Sequence, residues 1–108
     1  MPIYNKLVRD RIPEIIKANG KWSKSRILED HEFHTELLKK MHEELKEYES
    51  TESDDDALEE LADLLELINA AATIHGADFN AIEKIRQEKA EKRGSFEKKI
   101  YLIEVKDN

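Results

Sequence analysis

Leu58, Leu61, Leu65, Ile68 and Ala72 recur at alternating spacings of three and four residues. That repeat aligns side chains along one face of an α-helix. Leu64, Leu67 and Ala71 form a second stripe beside the first. At about 100° per residue the two stripes cover about half of the helix circumference, more than one packing partner needs. A chain built around such a segment must pack helices in layers, so an all-α fold is expected.

The rest of the chain punctuates in the same way. Pro13 allows a first helix to begin near residues 11–13, and Gly20 stops it. Asp30 is a suitable N-cap for a second helix over about residues 31–50. The "STESDDD" stretch at 50–56 reads as a turn, and the third helix runs from about 56 to 75, closed by Gly76. Asp78 caps a fourth helix that extends to about Arg93 before Gly94. The opening residues and "KWSKSRIL" read as short extended pieces, and "SFEKKIYLIEV" at 95–105 reads as a final strand. Trp22 is the only tryptophan and reads as a packing anchor, with stacking on a base as the alternative. The expected architecture is therefore one domain over 1–108, an antiparallel bundle of about four helices with a short C-terminal strand.

The third helix carries acids where its pattern calls for apolar side chains. Measured around the helix axis from Glu60, Leu67 falls at about 340°, Ala71 at about 20° and Leu64 at about 40°. Glu60 thus lies inside a stripe, and Asp63 lies on its edge. The second helix repeats the device. Measured from Glu44, the residues Phe33, Leu37, Tyr48 and Met41 all fall within about 60° to either side, with Glu47 on the edge. The connecting turn is short, so the two helices should be antiparallel neighbours. Acidic residues make up about a quarter of the chain (25 of 108), so one such pair carries little weight. Two interior pairs on consecutive helices carry more.

Four carboxylates between packed helices repel one another and lose hydration. A hard cation relieves both costs. Oxygen ligands without cysteine suit Mg²⁺, with Mn²⁺ as the alternative, and carboxylates in bundle cores commonly build such sites.

Charge is unevenly placed. Positions 1–28 hold 7 basic and 2 acidic residues, whereas positions 29–66 hold 3 basic and 16 acidic. The acidic centre repels nucleic-acid phosphate, so no nucleic-acid partner is expected. No apolar run of about 18 residues is present, so no membrane span is expected. The N-terminus lacks the apolar core of a signal peptide. With no cysteine, disulfides and thiolate metal sites are excluded, which fits a cytoplasmic setting. His31 and His34 lie one turn apart but fall short of the four ligands of a structural zinc site. There is no phosphate-loop motif and no Ser or Cys nucleophile motif.

The "EELKE" at 43–47, twelve further residues, and "ELAD" at 60–63 resemble the E-E-x-x-E…E-x-x-D signature of the MazG-like all-α nucleoside triphosphate pyrophosphohydrolases. That superfamily includes phosphoribosyl-ATP pyrophosphohydrolase and the dimeric dUTPases. "YNKLVRDRIPEII" (4–16) and "KAEKRGSFEK" (89–98) resemble the ends of one subgroup, which usually has a second glycine where this chain has Ser95. The resemblance spans nearly the whole chain. It implies Mg²⁺-dependent cleavage of a nucleoside triphosphate to monophosphate and pyrophosphate, with Glu44, Glu47, Glu60 and Asp63 as metal ligands. Glu43 matches the first glutamate of the motif but points further from the stripe, so it either supports the ligands from behind or has no assigned role. The resemblance also implies a homodimer or homotetramer, in accord with the wide apolar arc.

On this reading Glu44 or Glu47 accepts the proton of the attacking water. The triphosphate needs cations that the acidic helices do not supply, and Lys6, Arg9, Arg11, Lys89, Lys92 and Arg93 are the candidates. Two alternatives stand beside it. One is action on phosphoribosyl-ATP. The other is a catalytically silent helical assembly module, whose carboxylates pair with the lysines and arginines of the N-terminal arm.

Overall fold

The computed structural model describes residues 2–107. Four helices form in chain order: α1 (Ile12–Ala18), α2 (Asp30–Glu49), α3 (Asp54–Ile74) and α4 (Phe79–Arg93). Each boundary has a local cause. Glu29 and Glu32 form a reciprocal capping box at the start of α2, so the cap is Glu29 rather than Asp30. Arg26 holds the same Glu32 through two hydrogen bonds of 2.6 and 3.2 Å. These bonds keep the Glu32 carboxyl well below its usual pKa. Ser53 caps α3 by accepting from the Asp56 N–H at 3.1 Å, so α3 begins two residues earlier than its apolar pattern suggests. Three acids, Asp54, Asp55 and Asp56, fill its first turn and favour the positive end of the helix dipole. At the other end Gly76 takes φ +71°. The Ala77 N–H reaches the Ala72 carbonyl at 3.0 Å and the Gly76 N–H reaches Thr73 at 3.2 Å, a paired C-terminal cap that a left-handed residue permits. Asp78 caps α4 through the Ala81 N–H at 2.9 Å, as the sequence predicts.

The fold is centred on one antiparallel hairpin. α2 packs along α3, and α4 packs on α3 alone. Leu37 and Ala72 are the buried apolar side chains among the described residues. Leu64, Leu67 and Ala71 are half-buried on the face that carries Glu60, so this stripe meets α2. Ile68 and Ala72 are covered near the α4 end. Leu58, Leu61 and Leu65, in contrast, stay 63%, 41% and 48% exposed. The chain is also extended. Its radius of gyration is 18.7 Å and its long axis is 67 Å, whereas a compact chain of this length has a radius of about 13 Å.

Two further expectations are corrected. Residues 95–105 form no strand; they are irregular and exposed. A strand needs a neighbour for its backbone donors and acceptors, and no strand forms anywhere among the described residues. Trp22 is not a packing anchor within this chain, being 72% exposed. Among the described residues no helix is long and apolar enough to cross a membrane.

Candidate metal centre

The capping interactions fix the registers of α2 and α3, and the hairpin packing then brings their acids together. One carboxylate oxygen each from Glu44, Glu47 and Glu60 falls within 4.8 Å of the others. Glu44 is only 8% exposed, Glu60 is half-buried and Glu47 is open to solvent. Glu44 Oε2 and Glu60 Oε2 are both buried with no hydrogen-bond partner. A buried, unpartnered carboxylate oxygen is costly, and two of them in one place define a site short of positive charge.

The electrostatics agree with the geometry. Burial is the largest influence on Glu44, followed by the close approach of the Glu60 carboxyl and the charges of Glu47 and Asp63; together they push its pKa from 4.5 up to about 7. Within the cluster, then, Glu44 holds a proton far more readily than an ordinary carboxyl. A divalent cation could take the place of that proton, since the three donors are all oxygen and converge from two helices.

Asp63 lies one turn beyond Glu60 and is engaged differently. Its Oδ1 accepts a hydrogen bond from Arg9 at 2.7 Å. This contact links the N-terminal arm to the hairpin. Arg9, Lys40, Glu44 and Asp63 line a cleft of about 90 Å³ together with Glu66 and Leu67. A small-molecule pocket usually measures about 300–1,000 Å³, so one chain does not enclose a whole nucleotide here.

The six cations expected to hold phosphate are distributed unequally. Arg9 is at the centre. Lys6 sits 5.5 Å over the Tyr4 ring and lines an adjoining cavity. Arg11 turns back to pair with Glu14 at 3.3 Å. Lys89, Lys92 and Arg93 occupy the last turns of α4, exposed, and no hydrogen bond or ion pair among the described residues joins them to the cluster. Lys40, which also faces the cleft, is absent from the expected set. The signal for it is its position: four residues before Glu44, it falls at about 320° around the helix from that glutamate. His34 meets His75 edge-on at 6.3 Å between ring centroids, at the opposite end of the hairpin from the carboxylates.

No protein-family model and no solved structure matches the chain. An uncharacterized protein of Mycolicibacterium smegmatis (strain ATCC 700084 / mc(2)155) is 45% identical over 53 residues, which is 49% of this chain and 54% of that protein. The chain thus matches about half the length of that relative.

Proposed function

We propose that the protein is a Mg²⁺-dependent nucleoside triphosphate pyrophosphohydrolase of the MazG-like type, with Mn²⁺ as an alternative ion. The observation that carries the reading is the pair of buried, unpartnered oxygens on Glu44 and Glu60, converging with Glu47. Glu44, Glu47 and Glu60 would hold the ion, with Asp63 joining them once Arg9 lets go. A bound Mg²⁺ offsets phosphate charge and lowers the pKa of a water. Glu47, the exposed member, is the group freest to accept the proton of the attacking water. Arg9, released from Asp63, presents its guanidinium fork to a phosphate. Attack on the α-phosphorus breaks its bond to the α–β bridging oxygen, which leaves with pyrophosphate.

The same proposal includes a homodimer or homotetramer. The exposed Leu58, Leu61 and Leu65 support it, as does a cleft too small for a nucleotide. A second copy would supply the missing wall and cover the stripe.

One contact favours the silent assembly module instead. Arg9 on Asp63 is the kind of arm-to-body ion pair that reading requires. It satisfies one carboxylate and leaves Glu44 and Glu60 unpartnered, so the hydrolase is preferred. Pyrophosphate release across a nucleotide panel that includes phosphoribosyl-ATP, with and without Mg²⁺, separates the readings. The hydrolase predicts metal-dependent turnover that Glu60→Gln abolishes while helical circular dichroism is retained. Absence of turnover on every nucleotide, with Glu60→Gln only stabilising the protein, would establish the module.

A further inference from the structure

Lys40 differs from every other described lysine. It is half-buried, whereas the rest are exposed. No described carboxylate lies within ion-pair distance of it, although it shares its cleft with three, Glu44, Asp63 and Glu66. Its neighbour Lys39, in contrast, pairs with Glu36 at 3.5 Å. Lys40 also lines the adjoining cavity, with Lys6, Lys39, Glu36 and Glu43, so it stands on the wall between the carboxylate cleft and a second recess of about 60 Å³.

Ordering a lysine side chain costs rotamer entropy, and partial burial removes water from its ammonium. Neither cost is recovered here through an ion pair. Across the same cleft Arg9 gives one nitrogen to Asp63, and a guanidinium carries five N–H donors, so several remain. The cleft therefore brings three carboxylates and two cations into one lining. That combination suits a ligand whose negative charge extends away from a metal-binding end.

We propose that Lys40 is a polyphosphate-binding residue, holding with Arg9 the two phosphates that leave as pyrophosphate. The assignment rests on the hydrolase reading for its substrate, and its test is independent of turnover. The ammonium acts as a point charge with three donors, which suits a diphosphate whose oxygens reorient as it departs.

The probe is inorganic pyrophosphate, titrated calorimetrically into the protein in Mg²⁺. Lys40→Gln and Lys40→Met, the latter keeping the apolar stem, are each expected to weaken binding by about 10-fold to 100-fold, the usual loss for a charged hydrogen bond. Lys40→Arg should retain most of the affinity. Lys46→Gln removes the same charge from the same helix, but about 200° around it from Glu44, and is expected to change binding less than about twofold, as for an unengaged surface charge. Mg²⁺ titrated without pyrophosphate should bind the Lys40 variants at least as well as wild type. Wild-type pyrophosphate affinity in Lys40→Met, or an equal loss in Lys46→Gln, overturns the assignment. If no nucleotide is hydrolysed yet Lys40→Met loses pyrophosphate, the hydrolase reading falls and the phosphate site stands. If nucleotides are hydrolysed with unchanged KM and unchanged pyrophosphate inhibition in Lys40→Met, only the Lys40 role falls.

Discussion

Replacing Glu44 by glutamine should make the cation-free protein more stable at pH 8, although it removes a residue at the centre of the site. The Glu44 carboxyl is held near 7 against an ordinary 4.5, so the folded state favours its protonated form. The sign follows from this. The contribution to stability is fully present below the ordinary value and is lost as pH rises through about 7. One unit corresponds to about 1.4 kcal/mol, so the ionised carboxylate costs the fold about 3 kcal/mol above pH 7. Glutamine keeps the shape, carries no charge and offers an amide donor to Glu60 and Glu47. The expected gain is therefore about 2–3 kcal/mol at pH 8, shrinking to near zero at pH 4.5. Urea unfolding in the presence of a chelator, repeated between pH 4.5 and 8.5, measures it. Saturating Mg²⁺ should then reverse the order. Wild type would gain about 4.1 kcal/mol at a thousandfold excess over Kd, and the variant would gain little. A variant no more stable than wild type at pH 8, or a gain of the same size at pH 4.5, would show that Glu44 is not a buried acid strained by its neighbours.

Three further outcomes are expected. Ser53→Ala removes the cap of α3 and should cost about 1 kcal/mol, read from the urea midpoint at constant slope. Arg9→Gln breaks an ion pair whose partners are both partly exposed, so stability should fall by less than about 1 kcal/mol, while under the proposed hydrolase activity KM for the nucleotide rises. Leu61→Glu together with Leu65→Glu places charge on the exposed stripe of α3. If the proposed homodimer or homotetramer forms through this stripe, sedimentation velocity should show the variant as a monomer and the wild type as the larger species, with helicity retained.

The helices and the core of the site are legible in the sequence because both depend on short-range rules. Gly20, Gly76 and Gly94 stop helices, Asp78 starts one, and a wheel drawn on Glu44 and Glu60 finds the interior acids. What lies beyond reach depends on contacts distant in sequence or outside the chain. Arg9 and Asp63 are 54 positions apart, and no periodicity connects an irregular arm to a helix edge. The 95–105 segment has the composition of a strand, yet composition cannot supply the neighbouring strand it needs. Trp22 is a similar case: aromatic character favours burial but does not say against what. Lys40 is within reach, since its register relative to Glu44 is pure helix geometry. It is easily overlooked because the basic arm and the last helix are the conspicuous sources of cations, not the acidic helix itself.

The short turn between α2 and α3 has a kinetic consequence. Glu44 and Glu60 are sixteen positions apart in the chain, so closing the loop that brings them together costs little entropy. Contacts this local form quickly. The carboxylates meet as the hairpin closes. A cation captured at that moment would lock the sliding of one helix along the other, setting the alignment on which every later contact is built.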